Sequence, residues 1–191
     1  MRSYLIVVLV AVLGLAFLSC SGSKVLTDTK LGDVPDWFKN IPEDPDFLFS
    51  AKTATSKDLQ LALDKATQAA RADIAQQAEV KISGIQKSFQ EEVGAGDESE
   101  LLQQFTQASK SVFSTQLVGS KTKEQKLVKD GQGYRAYVLV EYPVGAAAQA
   151  LMQQLSKKKN LYTRFRASQT FEELNKEVEK YEKWKKEQGM Q

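Results

Sequence analysis

The sequence predicts an α+β fold: a mostly antiparallel sheet of about four strands, two to three helices packed on it, and a C-terminal amphipathic helix. Three observations carry this reading. Alternating runs rich in β-branched and aromatic residues occur at 47–55 and again between 116 and 142. Between and after them lie stretches in which apolar residues return every three or four positions. Asp130-Gly131 divides two of the strand-like runs, and Asp-Gly between such runs is a strong hairpin signal.

The chain opens with MRSYLIVVLVAVLGLAFLSC. Arg2 gives a positive start, Tyr4 to Leu18 is apolar, and small Ser19 precedes Cys20. A run of this length lies within the roughly 7–15 residues of a signal core and short of the ~18–20 of a spanning helix. Residues 1–19 therefore read as a signal peptide. Phe17-Leu18-Ser19-Cys20 resembles the lipobox, the stretch read by lipoprotein signal peptidase, with Phe17 where leucine is usual. The resemblance implies a thioether from Cys20 to diacylglycerol, acylation of the new amino group, and so membrane anchoring by more than one chain. An ordinary signal peptide with a stray cysteine, or a retained transmembrane anchor, are the alternatives left open. Ser21 is not the aspartate that retains many such proteins at the inner membrane, so the sorting rule implies the outer membrane, with the periplasmic face expected over the cell surface.

Residues 20–34 (Cys20, then mostly small and polar residues) read as the lipidated cysteine and a flexible tether. Pro35, Pro42 and Pro45 then punctuate an extended approach in which Trp37 and Phe38 are expected to plug apolar surface. A first strand is predicted at Phe47–Thr55. Thr55 and Asp58 have capping-box spacing and head a helix running to about Val80. That helix carries seven alanines, with Leu59, Ala62, Leu63, Ala66, Ala70 and Ile74 on one face. The stretch Val80–Val93, with Val80, Ile82 and Ile85 apolar, reads as a strand. Gly94 and Gly96 mark a turn, and Asp97 with Glu100 starts a second helix striped by Leu101, Leu102, Phe105, Ala108, Val112 and Phe113. After the hairpin, a strand from Tyr134 ends at Pro143, and a third helix spans Gly145 to about Lys158. Thr170 and Glu173 repeat the capping-box spacing ahead of a last helix with Phe171, Leu174, Val178 and Tyr181 on one stripe. That stripe is a candidate partner-binding surface, to be covered either by the chain's own domain or by a partner helix.

Composition narrows the chemistry. There is no histidine, and Cys20 is the only cysteine, so zinc, copper or haem ligation and Cys-His or Ser-His catalysis are not expected. No disulfide can form within the chain. Without residues 1–19, Lys+Arg falls from 26 to 25 against 24 Asp+Glu, a near balance that does not suit a nucleic-acid binder. Glu91, Glu92, Asp97, Glu98 and Glu100 cluster around one turn. The cluster fits a pair of hydrolytic carboxylates less well than a solvated loop and helix start. Residues 157–191 hold ten basic and six acidic side chains. Lys157, Lys158, Lys159, Arg164 and Arg166 interleave there with Leu161, Tyr162 and Phe165. This end suits anionic headgroups, wall polymer or an acidic partner, or simply a solvated helix end.

Several of these residues together resemble a known family. The lipobox and tether are followed by Pro35-Asp36-Trp37, then Phe49-Ser50-Ala51 closing a strand, then Ala66-x-x-x-Ala70-Arg71-x-x-Ile74-Ala75 on a helix. A late strand carries Tyr134-x-x-Tyr137-Val138-Leu139-Val140. This pattern is similar to the LPP-twenty family of envelope lipoproteins and to the N-terminal domain of a flagellar basal-body ring protein. It covers residues 35–145, leaving 146–191 as a helical C-terminal extension. The resemblance implies an α+β domain in the envelope, with no catalytic residue and no cofactor. The expectation is a non-enzymatic interaction module bound to the membrane through Cys20. Its partners would be envelope protein or cell-wall polymer, in envelope or flagellar motor assembly. A periplasmic small-ligand or lipid carrier, or chaperone, is the alternative.

Overall fold

A computed structural model describes residues 34–94, 99–114 and 119–190. The elements run α1 (Asp36–Lys39), β1 (Phe47–Ser56), α2 (Leu59–Val93), α3 (Ser99–Ser114), β2 (Lys121–Asp130), β3 (Gly133–Pro143), α4 (Val144–Ser156), α5 (Lys159–Phe165) and α6 (Gln169–Glu187). The fold is α+β, and the described residues form one three-stranded antiparallel sheet in the order β1-β3-β2. Cys20, the tether to Asp33, and Gly96, Asp97 and Glu98 lie outside the described residues.

The central strand is the last to be made. β3 pairs Leu48 with Tyr142 on one side and Lys126 with Tyr137 on the other. Every residue from Ala136 to Val140 is buried. Ala136, Val138, Val140 and Tyr142 belong to the core shared with the helices. The intervening Tyr137 and Leu139 face the other side, as strand alternation requires. There Phe38 of α1 sets its ring edge-on to Tyr137 with centroids 5.1 Å apart. β2 is the polar edge: Lys121 to Gln125 are exposed, and a register shift between Thr122 and Glu124 breaks the ladder. Lysines and bulges are common means of blunting an edge against further pairing. The hairpin closes with Asp130 opposite Gly133. Gly131 alone of the two loop residues has positive φ (59°), the arrangement of a II′ turn, which favours glycine at its first position.

The expected strand at 80–93 is instead the second half of α2. Val80-Lys81-Ile82 alternates as a strand would, but Val80 is 73% exposed while Ile82 and Phe89 are fully buried at helical spacing. The fourth strand of the expected sheet is thereby removed. The helix begins later than expected, at Leu59. Asp58 caps it by accepting from the Leu61 amide at 2.7 Å, while Thr55 belongs to β1 opposite Arg135.

α2 buries Ala62, Ala66, Ala70, Ile74, Ala78 and Ile82, one residue in every four. An α-helix turns once in 3.6 residues, so this line advances about 40° per step and about 200° over its length. The first half of α2 lies on β1 and β3. There the alanines let the backbone sit close to the sheet. The second half has turned away from the sheet and meets the other helices. Phe89 stacks on Phe105 of α3 at 5.5 Å and meets Phe165 of α5 edge-on at 5.3 Å. Phe171 of α6 adds its ring to Phe165 at 5.6 Å.

The chain after β3 forms the helices α4, α5 and α6, which belong to the same compact unit, Gly32–Gln191, as the sheet. α4 and α6 approach closely at Gly145. A side chain there would meet Tyr181 Cβ at 2.4 Å and the Glu177 carbonyl at 2.5 Å, so only glycine fits. Because Phe165 is fully buried in the aromatic knot, Phe165→Ala is expected to cost about 3–5 kcal/mol. Urea unfolding measures this, and a loss below about 1 kcal/mol would show that the C-terminal helices do not share the core.

Candidate functional site

The stripe expected to bind a partner is spent on the chain itself. Leu174 is buried, and Phe171, Val178 and Tyr181 pack half-buried against the core. Their face is therefore not open to a partner helix. The physical reason is the overhang of α2, which leaves Ile82 and Phe89 needing cover that α6 helps to supply.

The start of α6 also explains one member of the acidic cluster. Ser168, not Thr170, is the cap, its hydroxyl accepting from the Phe171 amide at 3.1 Å. Glu92, from the end of α2, accepts from the Gln169 amide at 2.7 Å and the Thr170 amide at 2.8 Å, and from the Thr170 hydroxyl. A carboxylate at a helix N-terminus satisfies free amides and the helix dipole together. Partial burial works against the charge on Glu92, but the hydrogen bonds from Thr170 and Gln169 outweigh it and hold its carboxyl below the usual glutamate range. Glu91 pairs loosely with Lys87 at 3.9 Å, and Glu100 accepts from Gln104 at 3.1 Å. Each described member of the cluster thus serves a neighbour in its own helix or, for Glu92, in α6.

Beneath the sheet-facing half of α2, Lys52 of β1 binds Asp73 at 2.9 Å, and Gln77 bridges Asp73 and the Phe49 carbonyl. Burial pushes the Asp73 carboxyl up. Hydrogen bonding by Lys52 and Gln77, with the nearby Ser50 dipole, outweighs this and lowers it overall. The Ser50 hydroxyl itself is 1% exposed and makes no well-formed hydrogen bond. A serine with a lysine two residues on evokes hydrolysis, but this lysine is charge-paired and this hydroxyl is sealed from substrate. Among the described residues no cluster of three or more acidic or thiol side chains is placed to hold a metal ion.

A groove of about 370 Å³ lies between the second half of α2 and α6. Ile85, Val144, Leu174 and Pro45 form its apolar floor, with Lys81 on one wall and Glu173 on the other. Gly84 lies in that wall and a Cβ there would touch nothing within 4 Å. A helix-interior glycine costs about 0.5–1 kcal/mol relative to alanine, and here packing within the chain does not explain it. Ala62, Ala66 and Ala70, by contrast, are fully buried against the sheet, so the groove lies away from the alanine-rich contact.

A second surface carries lysines that no described carboxylate approaches within 4.0 Å. Lys157, Lys158 and Lys159 are exposed at the joint between α4 and α5. Arg166 lies on the same helical face as Lys158 and Tyr162, its guanidinium over the Tyr162 ring at 5.9 Å. The sequence signal for this patch was present in the basic run; for the groove only Gly84 could have hinted at it.

The Glu92 clasp makes a pH prediction. Its lowered pKa means that its stabilisation is fully present above the ordinary glutamate value of about 4.3 and is lost as pH falls through the lower folded value. Glu92→Gln should therefore cost about 1 kcal/mol at neutral pH. Urea midpoints of wild type and variant should converge by about pH 2–3; a constant gap across that range would remove the carboxylate from this role.

Compared with protein-family models, with curated proteins and with solved structures, the chain matches none.

Proposed function

We propose that the chain is a non-enzymatic cell-envelope lipoprotein of LPP-twenty type. Lipid on Cys20 holds it at the periplasmic face of the outer membrane, where it acts by contact with envelope protein or wall polymer, in envelope or flagellar motor assembly. The observation that carries this reading is Cys20 itself, the only cysteine, standing directly after small Ser19 at the end of the apolar run. An α+β domain whose described clustered acids serve neighbouring groups, and whose Ser50 is sealed from solvent, is compatible with an interaction role. Diacylation gives stable residence, where a single chain gives only marginal binding.

The groove beside Gly84 supports a second reading, a carrier of a small amphiphile. Its volume falls in the range of ligand sites, about 300–1,000 Å³. Under this reading lysophosphatidylglycerol or a muropeptide raises the melting temperature of wild type, and Gly84→Trp abolishes the rise. Equal melting with and without both probes rejects it.

The anchor is tested by metabolic labelling. Wild type should incorporate radiolabelled palmitate, whereas Cys20→Ser should take up none and keep the wild-type circular dichroism. Unlabelled wild-type protein would overturn the proposal.

A further inference from the structure

No aspartate or glutamate occurs between Glu141 and Glu172, a stretch that holds five basic residues. Elsewhere the exposed lysines are often matched: Lys39 with Asp36, Lys123 with Glu141, Lys180 with Asp46 and Glu177. At the α4–α5 joint they are not. Among the described residues no carboxylate lies within 4.0 Å of Lys157, Lys158, Lys159 or Arg166, and Lys157 donates only to the neutral Gln154 at 3.1 Å. Phe165 and Leu161 bury the opposite face of α5. That burial leaves Lys158 and Arg166 exposed on either side of Tyr162, whose ring is half-buried against the core. A near-neutral chain has thus gathered uncompensated cations at one rigid corner.

We infer that this corner docks on anionic phospholipid headgroups, giving the domain a second membrane contact besides the anchor. The inference deepens the anchored reading and rests on it for the presence of a bilayer. Charge complementarity selects the occupant. Three adjacent lysines are flexible point charges that match a fluid array of phosphates, rather than the fixed fork of a bidentate arginine site. Protein interfaces are depleted in lysine and built around buried apolar anchors. The exposed large apolar residues among those described, Ile41, Leu59, Leu61 and Val80, all lie on other elements. Each basic residue near an anionic surface is worth about 1 kcal/mol, a factor of about five. The three lysines together then favour the docked orientation by roughly a hundredfold.

Lysine acylation of the full chain on vesicles reads the contact directly. Vesicles of phosphatidylcholine are compared with vesicles containing one-third phosphatidylglycerol. At low salt the anionic vesicles should slow labelling of Lys157, Lys158 and Lys159 at least fivefold, with exposed Lys65 of α2 unchanged as an internal reference. Raising the salt to about 0.5 M should restore the rates, since screening then acts within a few ångströms. In K157Q/K158Q/K159Q, Arg166 should lose its protection from phenylglyoxal. Equal rates on the two vesicle types overturn the inference, and so does protection by soluble polyphosphate or an acidic protein without any by vesicles. Attachment to the uncharged vesicles is scored separately. Its absence counts against the anchor, whereas the difference between vesicle types concerns the basic corner alone.

Discussion

Everything in this domain depends on how α2 is covered. Thirty-five residues of helix extend about 52 Å, whereas the ten residues of β1 span about 33 Å. The sheet can bury only part of the rod. The buried line also winds around the helix, so its second half faces away from the strands. An apolar surface of that size in water would be unfavourable at about 25 cal/mol per Å², and α3, α5 and α6 converge on it. The aromatic knot of Phe89, Phe105 and Phe165 is the product of that convergence. The placement of the C-terminal helices, the closed stripe of α6 and the groove beside Gly84 all follow from it.

Polar groups are arranged around the same constraint. Glu92 stands where α2 ends and α6 begins, so one carboxylate both finishes the long helix and starts the one that covers it. Lys52 and Asp73 neutralise each other where β1 and α2 meet at the edge of the core. The charges left over lie on surfaces that no element needs. The α4–α5 joint is one such remainder, in a stretch without aspartate or glutamate between Glu141 and Glu172.

Local patterns were readable from the residues. β1 and β3 appeared at nearly their observed bounds because alternation and the Asp130-Gly131 turn are short-range signals. The second half of α2 was misread because Val80-Lys81-Ile82 satisfies a period of two, and only Phe89, seven residues on, betrays the helix. Thr55 and Thr170 have the spacing of caps, but several hydroxyl and carboxyl residues crowd each helix start and spacing alone does not rank them. Glu92's contact spans 78 residues and leaves no trace in the neighbouring sequence. The stripe of Phe171, Leu174, Val178 and Tyr181 was visible as apolar, but its cover was a question of tertiary packing. Cys20 remains as the sequence presents it.

The order β1-β3-β2 has a consequence for the time course of folding. β1 is finished at Ser56, yet its only partner in the sheet begins at Gly133. Neither edge strand can pair until the middle one has been synthesised, and Phe89 waits longer still for Phe165. Contacts this distant in sequence carry a loop-closure cost and slow the search for the native state. A chain built this way keeps its sheet unpaired until most of it has been synthesised.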